Sequence, residues 1–96
     1  ANYIYWFVVS YAVVVTAAIF FPPDERGDIP DHLFRKTLDV NVTGNFIAAH
    51  EGGRFLERQG IGGAIVLVSS ANAVVPKKGG IAYDTGKTAL NHMVRE

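Results

Sequence analysis

Residues 64–96 read AIVLVSSANAVVPKKGGIAYDTGKTALNHMVRE, and the rest of the chain is organised around them. Ala64, Ile65, Val66, Leu67 and Val68 form an unbroken apolar run, the composition of a parallel strand covered on both faces. Ser69 and Ser70 end that run, a loop with Gly79 and Gly80 follows, and the pattern then predicts a helix carrying Tyr83 and Lys87. At i and i+4 the phenol and the ammonium lie on one helical face, where the cation favours the ionised phenol. That is a proton-transfer device. Ser70, thirteen residues before Tyr83, brings a hydroxyl to the end of the strand.

Working back from this stretch, Gly60-Ile61-Gly62-Gly63 reads as the end of a helix, because glycine readily takes the left-handed conformation that closes one. Residues 31–59 carry that helix. Leu33, Phe34, Leu38, Val42, Phe46, Ala49, Gly53 and Leu56 recur at spacings near three and four, the pattern of a short helix followed by a long one. Gly52 and Gly53 lie inside it and cost about 1 kcal/mol each relative to alanine unless close packing offsets them. Asn41, on the same element, reads either as a site residue or as an asparagine bonding a neighbouring carbonyl.

Residues 21–28, FPPDERGD, are punctuation, with two prolines and clustered charges. Asp24, Glu25, Asp28 and Asp31 lack the His or Cys spacing of a metal site and read as a solvated loop, with Asp28 or Asp31 capping the next helix. His32, His50 and His92 are too scattered to form a metal triad, so no metal is expected.

Residues 1–21 contain no charge. A run of roughly 20 apolar residues can span a membrane as a helix. Tyr3, Ile4, Tyr5, Trp6, Phe7, Val8 and Val9, then Ala12, Val13, Val14 and Val15, are instead the aromatic and β-branched residues of two buried strands. The strand reading is preferred, since no basic flank precedes the run and no small-residue cleavage site follows it.

The bulk numbers bound the rest. Ninety-six residues suffice for one small domain with a modest core. Nine basic and nine acidic residues give zero net charge, which disfavours nucleic acid as a partner. There is no cysteine, so disulfides and thiolate chemistry are excluded, and the composition fits a cytoplasmic protein. Helix, loop, apolar strand and helix in succession predict an α/β fold, part of a doubly wound parallel sheet.

At these residues the sequence resembles the short-chain dehydrogenase/reductase family, whose signature is an upstream Asn, a Ser, and Tyr-x-x-x-Lys. Asn41, Ser70 and Tyr83-Asp84-Thr85-Gly86-Lys87 match in that order, with Gly86 in place of the usual serine. Val15, Thr16, Ala17 and Ala18 stand where the family's fourth strand ends in Asn-Asn-Ala-Gly. The resemblance implies hydride transfer between NAD or NADP and an alcohol or carbonyl. Tyr83 would be the general acid or base and Ser70 would bond the substrate oxygen. Lys87 would support Tyr83 and hold the nicotinamide ribose, Asn41 would hold a relay water, and Thr16, Ala17 and Ala18 would let the cofactor approach. It also implies a homo-oligomer packed through the helices over 31–59 and 81–96.

Such enzymes are normally about 250 residues long, so 1–96 reads as a partial domain. Residues 1–12 match poorly, and neither the first βαβ unit with its G-x-x-x-G-x-G turn nor the C-terminal substrate region is expected here. Residues 70–80 and 83–85 resemble more narrowly the dehydrogenase part of bifunctional rhamnulose-phosphate aldolase/lactaldehyde dehydrogenases. The competing expectations are a truncated, non-catalytic piece that only oligomerises, and a protein anchored in a membrane through 1–21.

Overall fold

Two four-residue strands, β1 (Ala12–Val15) and β2 (Ala64–Leu67), pair in parallel, with Ala12 opposite Ala64 and Val15 opposite Leu67. Parallel neighbours need a crossover between them. In this computed structural model, which describes residues 12–96, helices α1 (Asp31–Leu38) and α2 (Asn45–Gln59) supply it. Helix α3 (Ile81–Met93) follows β2 after a 3₁₀ turn at Ala71–Ala73 and packs against that turn and α1. The result is the α/β fold expected, two parallel strands joined and followed by helices.

The expected strand at 12–15 is β1, while the one at 3–9 lies outside the described residues. No described helix is long and apolar enough to cross a membrane. Residues 12–15 pair as a strand and 16–21 are not helical, so a single spanning helix over 1–21 does not form.

The helical pattern over 31–59 breaks into three pieces. A six-residue π-helical segment, Asp39–Gly44, joins α1 to α2 and contains Asn41. Such segments alter which face of the following helix meets its neighbours and recur at functional sites. Gly60 ends α2 with φ of 71°, and its N–H donates to the carbonyls of Leu56 and Glu57 at 3.3 and 3.2 Å. Close packing justifies Gly52. A Cβ there would stand 2.9 Å from Val13 Cγ1, so the glycine lets α2 lie against β1.

Two expectations need correction. Neither Asp28 nor Asp31 caps α1: the cap is Pro30, whose carbonyl accepts from Leu33 and Phe34 N–H at 3.0 Å. Asp31 is already in the first turn, and Asp28 is held in the preceding loop, where its N–H donates to Asp24 Oδ1 at 2.9 Å. Nor is β2 covered on both faces, because Ile65 and Val66 are exposed.

Candidate active site

Lys87 is the joint between strand and helix. Its side chain is buried, with 2% of the residue exposed, and Nζ donates to the Val68 carbonyl at 2.9 Å. A buried ammonium needs such an acceptor to offset its lost hydration. The Lys87 carbonyl in turn accepts from Ser69 Oγ at 3.2 Å, so the end of β2 is tied to α3 at two points.

Tyr83 lies one turn earlier on the same face. Lys87 Nζ stands 5.6 Å from the centre of its ring, in range for attraction between the cation and the aromatic face. Phe20 meets that ring edge to face, with centroids 5.8 Å apart and planes at 86°. The ring is thus held between a cation and an aromatic wall. Among the described residues nothing hydrogen-bonds its hydroxyl.

Ser70 opens the 3₁₀ turn, its Oγ accepting from Asn72 N–H at 3.2 Å. The turn closes with Ala73 N–H on the Ser70 carbonyl at 3.0 Å, and the Ala73 carbonyl accepts from Thr88 Oγ1 at 2.8 Å. Ser70 therefore sits between two ties to α3, Ser69 to Lys87 before it and Ala73 to Thr88 after it. Those ties bring Ser70, Tyr83 and Lys87 to the carboxyl end of β2, the end where open α/β sheets bind ligands.

Asn41 is wholly buried and spends its side chain on backbone: Nδ2 donates to the Ile19 carbonyl at 2.9 Å and Oδ1 accepts from Ile19 N–H at 2.8 Å. Its own carbonyl accepts from Asn45 Nδ2 at 2.8 Å. Asn45 Nδ2 also donates to the Ala17 carbonyl at 3.0 Å, and that pair of carbonyls fixes the orientation of the amide. These two asparagines hold the segment that leaves β1, with Thr16, Ala17 and Ala18 exposed along it. Asn45, Asp84 and Thr88 do not stand out in the sequence. The one signal for Asn45 is its i+4 spacing from Asn41, which puts both amides on one face.

A hollow at the opposite end of β2, lined by Leu56, Glu57, Gly60 and Ile65, has Glu57 as its one titratable side chain. Among the described residues no three His, Cys, Asp or Glu side chains converge as a metal site.

Residues 12–96 match the family model described as short chain dehydrogenase. The chain belongs to the short-chain dehydrogenase family. Among curated relatives it is 32% identical over 83 residues to glucose 1-dehydrogenase of Gluconobacter oxydans, covering 86% of this chain and 31% of that protein. It is 36% identical over 66 residues to L-rhamnose 1-dehydrogenase (NAD(P)(+)) of Azotobacter vinelandii, covering 69% of this chain and 26% of that one. The crystal structure of the acetoin dehydrogenase YohF from Salmonella typhimurium superposes with a TM-score of 0.76 at 28% identity, over 85% of this chain and 34% of that one. The chain thus spans about a third or less of the length of these relatives.

Within this family fold, the residues present suit one end of a nicotinamide cofactor. Lys87 offers a buried ammonium beside Tyr83, and the exposed segment 16–18 has two alanines where a ribose would need clearance. A glycine-rich turn of the G-x-x-x-G-x-G kind, which cradles pyrophosphate, does not occur in the 96 residues.

Proposed function

We propose that these residues form the proton-transfer centre of an NAD- or NADP-dependent dehydrogenase that interconverts an alcohol and a carbonyl. The observation that carries this reading is the Lys87 ammonium, fixed on Val68 and facing the Tyr83 ring from one turn away. Bound nicotinamide supplies the hydride acceptor. Thr16, Ala17 and Ala18 would line its approach, and Lys87 would hold its ribose hydroxyls with the N–H groups that Val68 does not use.

In the oxidation direction Tyr83 takes the proton of the substrate hydroxyl, and Ser70 donates to the same oxygen while charge develops on it. Reduction runs the two steps in reverse. The turn that fixes Ser70 Oγ on Asn72 N–H leaves the Ser70 proton free to be donated. Asn41 would place the relay water on its carbonyl, since its side chain is committed to Ile19.

For substrate, we favour a polyol, sugar or short hydroxyaldehyde. Relatives named for glucose, L-rhamnose and sorbitol 6-phosphate support that class. The resemblance of 70–80 and 83–85 to aldolase-linked lactaldehyde dehydrogenases falls in the same class. A homo-oligomer through the helices of 31–59 and 81–96 is part of this reading, supported by Phe46 and Ile47, which are 51% and 54% exposed on α2. The test is dehydrogenase activity toward a panel of sugars, polyols and lactaldehyde, for protein from the native reading frame with and without Tyr83→Phe. Equal rates for the two proteins would refute the role given to Tyr83.

A further inference from the structure

Asp84 follows the tyrosine in sequence, yet points away from the chemistry described above. The residue is 9% exposed, and its carboxylate accepts from Lys77 N–H at 2.9 Å through Oδ2. Its other oxygen, Oδ1, is buried without a hydrogen-bond partner. A buried carboxylate with half its acceptor capacity unused is costly, so its retention calls for a reason beyond ordinary helix packing.

The carboxylate also presses on the loop backbone. A Cβ built on Gly80 would stand 2.8 and 2.9 Å from Oδ1 and Oδ2, so glycine is needed for the loop to close over Asp84. Asp84 N–H donates to the Gly80 carbonyl at 2.7 Å, and Gly80 N–H donates to the Lys77 carbonyl at 3.0 Å. Next in the loop, Gly79 has φ of +80° and lies against Pro23, whose Cγ would be 2.8 Å from an added Cβ. One turn along α3, Thr88 Oγ1 binds both the Asp84 and the Ala73 carbonyls at 2.8 Å. Asp84 and Thr88 therefore grip the two ends of the segment that runs from the Ser70 turn to the start of α3.

We propose that Asp84 is a positioning residue, which clamps the 76–80 loop through Lys77 N–H and so sets the Ser70 turn against Tyr83. The proposal rests on the reading of Ser70 and Tyr83 as the proton-transfer pair. The clamp needs an oxygen acceptor at Lys77 and bare space at Gly80. Charge itself is not required at Lys77, so asparagine can replace the aspartate there.

The test compares Asp84→Ala, Asp84→Asn, Gly80→Ala and the Asp84→Ala/Gly80→Ala pair in protein from the native reading frame. Hydrogen exchange at the Lys77 amide is read alongside kcat and KM. With Asp84→Ala, the Lys77 amide is expected to exchange about tenfold faster, the change that follows from one lost hydrogen bond. The misplaced turn should lower kcat by roughly 10- to 100-fold, with KM for the nicotinamide cofactor unchanged. Asp84→Asn should restore both. Gly80→Ala should mimic Asp84→Ala, and the double variant should be no worse than either single one, since the clash disappears with the carboxylate.

Unchanged exchange at Lys77 in Asp84→Ala overturns the clamp, as does faster exchange with unchanged kcat. If Asp84→Ala does not fold, Gly80→Ala and Asp84→Asn decide by the same readouts: Gly80→Ala exchanging at the wild-type rate overturns the clamp. Wild-type protein without dehydrogenase activity sinks the proton-transfer reading, and the loop clamp is then decided by exchange at Lys77 alone.

Discussion

Asn41 grips Ile19 from 22 positions away, pairing its Nδ2 and Oδ1 with the Ile19 carbonyl and N–H at 2.9 and 2.8 Å. The amide thus acts as a one-residue strand partner for the segment that leaves β1. Replacing it with leucine of similar size leaves both half-buried Ile19 groups without that partner, at about 1–2 kcal/mol for each, the lower part of the range for an unpaired group. Asn41→Leu is expected to lower stability by roughly 2–4 kcal/mol, read as a fall in the urea midpoint at constant slope. A midpoint within error of wild type would show that this clamp is not needed.

Lys87 and Tyr83 should act as one unit. On the proposed reading Tyr83→Phe removes the proton carrier and is expected to lower kcat about 10²- to 10⁴-fold. Lys87→Met keeps the length of the side chain but loses both the bond to Val68 and the cation facing the ring. Groups that work together are not additive in their loss, so the double variant should be no slower than the worse single one. Multiplying effects would show that the two residues serve separate steps.

How much of this was readable in the sequence depends on the range of each interaction. Tyr83 and Lys87 share a face by helix geometry alone, and Gly60 closes α2 through its own backbone freedom at φ of 71°. Both could be read locally. The bond from Asn41 to Ile19 joins two elements, and nothing in the neighbourhood of Asn41 names its partner. The π-helical segment at Asp39–Gly44 is hidden for a related reason: it interrupts the helical run over only six residues. Asp28 and Asp31 have the side chains of caps, but the Pro30 carbonyl already accepts from the Leu33 and Phe34 N–H groups, a backbone arrangement that residue type does not reveal. The apolar run of β2 correctly marks a parallel strand. It does not tell how much cover the strand receives, since cover comes from elements distant in the chain.

Two helical glycines should respond with opposite sign. At Gly52 an added Cβ meets Val13 Cγ1, Cγ2 and Cβ at 2.9, 3.2 and 3.3 Å, and a β-branched side chain cannot rotate away from all three. Gly52→Ala is expected to destabilise by about 1–2 kcal/mol, overpacking exceeding the gain in helix propensity. At Gly86 the nearest atom is Asn41 Cβ at 3.4 Å, an ordinary contact. Gly86→Ala should therefore stabilise by roughly 0.5–1 kcal/mol. Urea midpoints moving in the same direction for both would refute the packing argument.

The exposed side chains of Phe46 and Ile47 predict the assembly state. Two large apolar groups exposed at successive positions of α2 suit a helix that meets a second copy of the chain. Phe46→Asp with Ile47→Lys should shift protein from the native reading frame toward monomer in sedimentation velocity, with its helical circular dichroism retained. An unchanged sedimentation coefficient would remove α2 from the interface.

Cofactor affinity separates the proton-transfer centre from the machinery that holds the dinucleotide. The proposed reading places residues 16–18, Tyr83 and Lys87 at the nicotinamide ribose, but the 96 residues contain no glycine-rich turn for the pyrophosphate. Most of the charge on a dinucleotide lies on that pyrophosphate, and backbone N–H groups at a helix start are what usually bind it. A few contacts to one ribose do not offset the loss of translational and rotational freedom on binding. The 96 residues alone are therefore expected to bind NADH with Kd above about 1 mM, an affinity weaker than about 4 kcal/mol. Titration followed by NADH fluorescence measures it directly. A micromolar Kd would show that these residues hold the dinucleotide by a route other than the pyrophosphate turn, and Lys87→Met would then be the variant to test for loss of that affinity.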